Sequence, residues 1–100
     1  MRRNRPITCA DGFRLSIQAN ASAYCTPREN LGTYTEVECG FPSEPEPFLM
    51  DYADDPDYPC GTIYSYVPVS VVSLVIAKHG GIISGDVPKG VPRLIAQKTI

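Results

Sequence analysis

No lysine or arginine stands between Arg28 and Lys78. The same interval holds nine of the eleven acids: Glu29, Glu36, Glu38, Glu44, Glu46, Asp51, Asp54, Asp55 and Asp57. Positive charge is confined to the flanks, at Arg2, Arg3, Arg5, Arg14 and Arg28 before it and at Lys78, Lys89, Arg93 and Lys98 after it. The net charge of -2 therefore conceals a separation by sign. An acidic surface draws basic partners from a distance and repels nucleic acid. Nucleic-acid binding wants aromatics interleaved with basic side chains. Here Tyr34, Phe41, Phe48, Tyr52, Tyr58, Tyr64 and Tyr66 all sit among the acids instead, so no direct contact with nucleic acid is expected.

Other absences narrow the class further. The basic start is followed by Ile7-Thr8-Cys9-Ala10-Asp11-Gly12, which offers no apolar core for a secretory signal. The most apolar stretch, 63–77, is too short to cross a bilayer and is broken by Pro68. A cytoplasmic protein without membrane attachment is expected. No Cys-x-x-Cys pair occurs among Cys9, Cys25, Cys39 and Cys60, and His79 is the single histidine. Zinc binding has no spacing signature, and the thiols are expected to be reduced and non-catalytic. There is no Ser–His–Asp order, P-loop, Gly-x-Gly-x-x-Gly or His-Glu-x-x-His. No cofactor is expected. Oligomeric state is not readable.

What is present is a patterned chain of 100 residues with ten prolines, sized for one small domain. Residues 1–6 read as a basic tail, 7–84 as the domain and 85–100 as a C-terminal extension. Ile7–Ala10 and Phe13–Ala19 read as a hairpin around Asp11-Gly12, a pair suited to a type I′ turn. Phe13, Leu15 and Ile17 alternate with Arg14, Ser16 and Gln18 at the period of a half-buried strand. A third strand spans Tyr34–Phe41, with Val37, Cys39 and Phe41 inward and Tyr34, Glu36 and Glu38 outward. A fourth spans Thr62–Val67, with Ile63, Ser65 and Val67 inward and Tyr64 and Tyr66 outward. The prolines between 42 and 59 forbid a continuous ladder or long helix there. From Pro68 the many β-branched residues favour a strand, but Lys78-His79-Gly80-Gly81 has the order of a helix end. The stop signal decides for helix, with His79 as a capping residue whose charged form the dipole favours. Ile82–Ser84 offers an edge strand. The expected fold is α+β: a three- to four-stranded antiparallel sheet with one apolar helix packed on one face. Phe13, Leu15, Ile17, Val37, Ile63, Val72, Val75 and Ile76 are its expected core.

Two clusters could carry chemistry. Asp51, Asp54, Asp55 and Asp57 could ligate calcium, but the glycine and closing glutamate of an EF-hand loop are missing. Glu36 and Glu38 on one strand could do acid–base work, but no pocket is signalled. Both read better as charged surface. The expected partner-binding residues are Glu36, Glu38, Glu44, Glu46, Asp51, Asp54, Asp55 and Asp57, with Tyr52, Tyr58 and Tyr64 as aromatic anchors.

The runs Ala10-Asp11-Gly12-Phe13, Leu15-Ser16, Gln18-Ala19, Tyr24-Cys25, Pro27-Arg28, Tyr34-Thr35, Val37-Glu38, Gly40-Phe41-Pro42-Ser43-Glu44 and Lys78-His79-Gly80-Gly81 give the chain a further likeness. Over 10–81 it resembles small proteins encoded by bacteriophages and prophages. That family brings no catalytic residue with it. By size and charge, though not by motif, the chain is similar to anti-CRISPR and other anti-defence proteins, which act by occupying a protein surface. The resemblance implies a non-enzymatic inhibitor of a host defence complex, such as a CRISPR effector, meeting a basic surface. A metal-dependent protein or enzyme using the Asp51–Asp57 loop and a structural phage component are the alternatives.

Overall fold

A computed structural model describes residues 3–97. Its elements are β1 (Ile7–Cys9), β2 (Arg14–Gln18), β3 (Glu36–Gly40), a 3-10 helix (Pro47–Tyr52), β4 (Ile63–Pro68), α1 (Val69–Lys78) and β5 (Ile82–Ser84). The architecture is α+β. The strands form one five-stranded sheet in the order β4-β3-β2-β1-β5, every neighbour antiparallel. The sheet thus exceeds the expected three or four strands, because Ile82–Ser84 completes its edge beside β1. Among the described residues no helix is long and apolar enough to cross a membrane.

The hairpin forms where its residues put it, but with a different turn. Gly12 alone takes a positive φ, 93°, while Asp11 does not. The Gly12 N–H donates to the Cys9 carbonyl and the Cys9 N–H to the Phe13 carbonyl. This is a three-residue loop, a tight turn followed by a left-handed glycine. The Asp11 Oδ1 accepts the Phe13 N–H at 2.9 Å, which leaves its other oxygen free to face the helix end.

Helix α1 overrides its β-branched composition. Val72, Val75 and Ile76, at helical spacing, are fully buried. Pro68 ends β4 and stands as the N-cap in extended conformation. Glycine terminates the helix: Gly80 (φ 91°) donates to Ala77 and Gly81 to Ile76, the paired bonds of a Schellman end. A Cβ on Gly80 would come within 2.9 Å of the Ala10 side chain, so the hairpin turn and helix end meet at a spot only glycine fits.

β4 departs from simple alternation. Val37 pairs with Val67 but Cys39 with Tyr64, so Ser65 and Tyr66 together oppose Glu38. That extra residue is a β-bulge, and it reverses which face the following residues point to. Tyr66 absorbs the bend at φ 53° and gives its N–H to the Tyr24 carbonyl. In consequence Tyr64 and Val67 are both fully buried, whereas Ile63 is only half-buried. The expected core holds at Phe13, Leu15, Ile17, Val37, Val72, Val75 and Ile76 and fails at Ile63. Phe41 also leaves the expected face: it has φ 51° and is 55% exposed. Tyr34, expected outward, is buried, with its hydroxyl donating to the Glu29 carbonyl.

Residues flanking 7–84 pack onto the domain. Arg5 pairs with Asp86, Tyr34 donates to the Lys89 carbonyl, and Val91 is buried in the core cluster. Arg2 and Lys98 lie outside the described residues.

Leu15→Ala should cost about 2–5 kcal/mol in a denaturant melt, the range for a fully buried leucine. Ile63→Ala should cost clearly less. Equal losses at the two positions would contradict the bulge in β4.

Candidate functional site

The most concentrated chemistry lies where the hairpin turn, the 3-10 helix and the end of α1 converge. Glu46 caps the 3-10 helix, its Oε2 accepting the Phe48 N–H at 2.8 Å. Pro47 supplies the first position, where a missing N–H does no harm, and Leu49 sinks into the core. These local preferences press the Glu46 carboxylate inward, where it is 1% exposed. His79, the last residue of the helix turn, is 6% exposed and lies between two carboxylates. Its Nδ1 is 2.6 Å from Asp11 Oδ2 and its Nε2 2.8 Å from Glu46 Oε1. Lys78 Nζ reaches the same Glu46 oxygen at 2.9 Å.

Both ring nitrogens of His79 face carboxylate oxygens, so with Asp11 and Glu46 ionised both nitrogens donate and the ring is an imidazolium. Burial alone would lower its pKa, but the bonds to Asp11 and Glu46 outweigh burial and raise it above the ordinary value. Burial pushes the Glu46 carboxyl up, yet the Phe48 N–H, Lys78 and His79 together hold it below the carboxylate range. Asp11 is held low by the Phe13 N–H first and by His79 second. Phe13 stacks flat on the imidazolium, with centroids 3.9 Å apart and planes within 10°. Lys78 Nζ sits 4.7 Å above the Phe48 ring. The four charges sum to zero, and every polar atom is used. With no free nitrogen, His79 is a clamp and not a general base. Two of the four thiols are made poor nucleophiles by their surroundings: burial pushes Cys9 up to about 11 and Cys39 higher.

The acidic segment divides into two kinds of carboxylate. Glu44, Asp51, Asp54, Asp55 and Asp57 are exposed. Tyr58, 68% exposed, stands among them. Glu36 and Glu38 are half-buried on β3 and tied to a neighbouring loop, Glu36 accepting from the Thr26 hydroxyl at 2.7 Å and Glu38 from the Tyr24 N–H at 3.1 Å. Two expected surface residues are inside. Glu46 is the hub of the buried clamp, because capping the 3-10 helix turns it inward. Tyr64 is fully buried, because the bulge rotates it to the core face, where its hydroxyl donates to the Pro59 carbonyl. Tyr52 is half-buried against the core.

The exposed loop is ordered by its own bonds. The Asp54 N–H donates to Ile63, the Asp55 N–H to the Thr62 hydroxyl, and the Asp57 N–H to the Asp55 carboxylate. Ser65 donates to Asp54 Oδ1 at 2.9 Å. Among the described residues no group of three His, Cys, Asp or Glu side chains is arranged to hold a metal ion. No known protein family matches the chain, and no curated protein or solved structure is significantly similar to it.

The clamp was only half visible in the sequence. Lys78-His79-Gly80-Gly81 marks a helix end and a cation there. Nothing local links His79 to Glu46 or Asp11, which lie 33 and 68 positions away.

The clamp makes stability depend on pH in a defined way. The carboxylates have lowered folded values, so their contribution is complete above their ordinary pKa of 4.5 or below and is lost as pH falls through the folded values. His79 is raised, so its contribution is complete below 6.5 and is lost as pH rises through its folded value. Thermal stability should therefore be highest at mildly acidic pH and decline above it. His79→Gln should flatten the decline on the alkaline side. An unchanged slope in that variant would mean that His79 does not titrate as a clamped cation.

Proposed function

We propose that this chain is a non-enzymatic interaction protein of bacteriophage origin. It presents the acidic loop 51–58 to a basic surface on a host defence complex, of the kind an anti-CRISPR protein blocks. The observation that carries the reading is the loop itself: Asp51, Asp54, Asp55 and Asp57 exposed around a protruding Tyr58, all on backbone already held by hydrogen bonds. A pre-ordered loop loses little entropy on binding. An exposed tyrosine amid charge is a common interface anchor, and rim charges steer the approach. Glu44 and the half-buried Glu36 and Glu38 extend the same negative field along neighbouring segments. Further support is the engagement of both ring nitrogens of the single histidine, which leaves it no part in catalysis.

The test uses surface plasmon resonance against a partner captured from bacterial lysate. Changing Asp51, Asp54, Asp55 and Asp57 together to Asn keeps the loop's hydrogen-bond acceptors and removes its charge. Association should slow about tenfold at low salt, and the difference should shrink as salt screens exposed charge beyond about 8 Å. Tyr58→Ala should instead speed dissociation. A four-site variant that associates as fast as the parent at low salt would contradict the reading.

A further inference from the structure

The outward face of β2 carries a groove of opposite character. It is a depression of about 410 Å³, within the ~300–1,000 Å³ typical of small-ligand sites. Arg3 and Arg14 contribute its charge, Ser16 and Ser43 its hydroxyls, and Pro6 and Phe41 its apolar surface. No aspartate or glutamate lines it, although the chain has eleven. Among the described residues, neither guanidinium makes an ion pair or a hydrogen bond.

The polar groups along this floor point one way chemically. Ser43 Oγ already accepts the Arg14 N–H at 2.9 Å, and Ser16 Oγ accepts from Gln18 Nε2 at 3.1 Å. Each hydroxyl therefore has its own proton left to give. Gln18 is spent, donating to the Asn4 carbonyl and accepting the Asn4 N–H. Asn4, which also lines the groove, gives its amide N–H to the Ile17 carbonyl. The remaining donors, two guanidiniums and two hydroxyls, outnumber the one remaining side-chain acceptor, the Asn4 amide oxygen. Such a set suits an oxyanion. Beside it, Phe41 is 55% exposed at φ 51°, a backbone conformation unfavourable to a bulky residue. The Phe41 N–H is bonded to Thr62, so the backbone is held there while the ring gains little burial. A strained, exposed aromatic next to an oxyanion site has a use as a stacking surface for a flat ring.

We propose that this groove binds a free nucleoside monophosphate, with Arg3 and Arg14 on the phosphate and Phe41 against the base. A continuous strand is disfavoured by charge. The adjoining depression, which shares Arg3 and Gln18, is lined by Glu38 as well, and the exposed Glu44 follows Ser43 in sequence. A long polyanion extending past the groove would come near these carboxylates, whereas a single nucleotide carries its charge on one phosphate. The site is separate from the acidic loop, so its failure would leave the interaction reading untouched.

Isothermal titration calorimetry on the full chain tests it, with adenosine 5′-monophosphate, inorganic phosphate and a ten-nucleotide single strand as probes. The monophosphate should bind more tightly than phosphate alone. Arg14→Gln should weaken both by about tenfold or more, the scale of a charged hydrogen bond. Phe41→Gly suits the positive φ and should leave the fold intact. It should weaken the nucleotide about fivefold or more, the scale of a lost stack, and leave phosphate unchanged. Absence of nucleotide binding at millimolar concentration, or an Arg14→Gln variant that binds it as well as the parent, would overturn the proposal. Equal affinity for phosphate and nucleotide would overturn it in favour of a bare oxyanion site. Tighter binding of the strand than of the nucleotide would overturn it in favour of single-stranded nucleic acid.

Discussion

The buried carboxylate of Glu46 is the constraint on which this small fold turns. A charge with 1% exposure is sustained only by partners that neutralise and hydrogen-bond it. Here those partners come from separate parts of the chain: the Phe48 N–H from its own turn, and His79 and Lys78 from the end of α1. His79 passes the requirement on to Asp11 in the hairpin turn. Removing His79 or Lys78 takes a counter-charge from the buried Glu46 carboxylate, and that dependence ties the end of α1 to the 3-10 helix. The backbone reinforces the same junction, with the Asp11 N–H donating to His79 and the Ala10 N–H to Gly81. The proline-rich segment, which has no ladder of its own, is thereby anchored to the regular part of the molecule.

That anchoring bears on the surface. The segment 51–58 begins in the last turn of the 3-10 helix that Glu46 caps, and its other end is held by Tyr64 through Pro59. The carboxylates of one acidic stretch thus divide by role. Glu46 is neutralised inside and sets the position of the backbone. Asp51, Asp54, Asp55 and Asp57 remain in solvent on the backbone so positioned. On the outward face of β2 the sign reverses, with Arg3 and Arg14 flanking a groove that contains no acid.

Much of this was legible in the residues, for identifiable reasons. Leu15 and Ile17 alternate with Arg14 and Ser16, and that period placed β2 and its buried face correctly. Lys78-His79-Gly80-Gly81 located the end of α1 against the pull of its valines, because the Schellman bonds need glycine there. Three features were not legible. The β4 bulge depends on Tyr66 accepting a positive φ, which no pattern of apolar residues announces, and it moved Tyr64 inward and Ile63 outward. The turn at Asp11-Gly12 took the three-residue form because the Asp11 side chain caps Phe13. The inward turn of Glu46 depends on a histidine 33 positions away, and a glutamate between two prolines reads as surface until that contact is known.

The central claim is that His79 is a buried cation held by two carboxylates, and nitrogen-15 NMR of the imidazole ring tests it most directly. The account predicts that Nδ1 and Nε2 both carry protons at pH 6.5 and that the ring titrates only above that ordinary value. It also predicts that Glu46→Gln brings the titration down. A ring that is mainly neutral at pH 6.5, with one nitrogen unprotonated, would contradict the clamp.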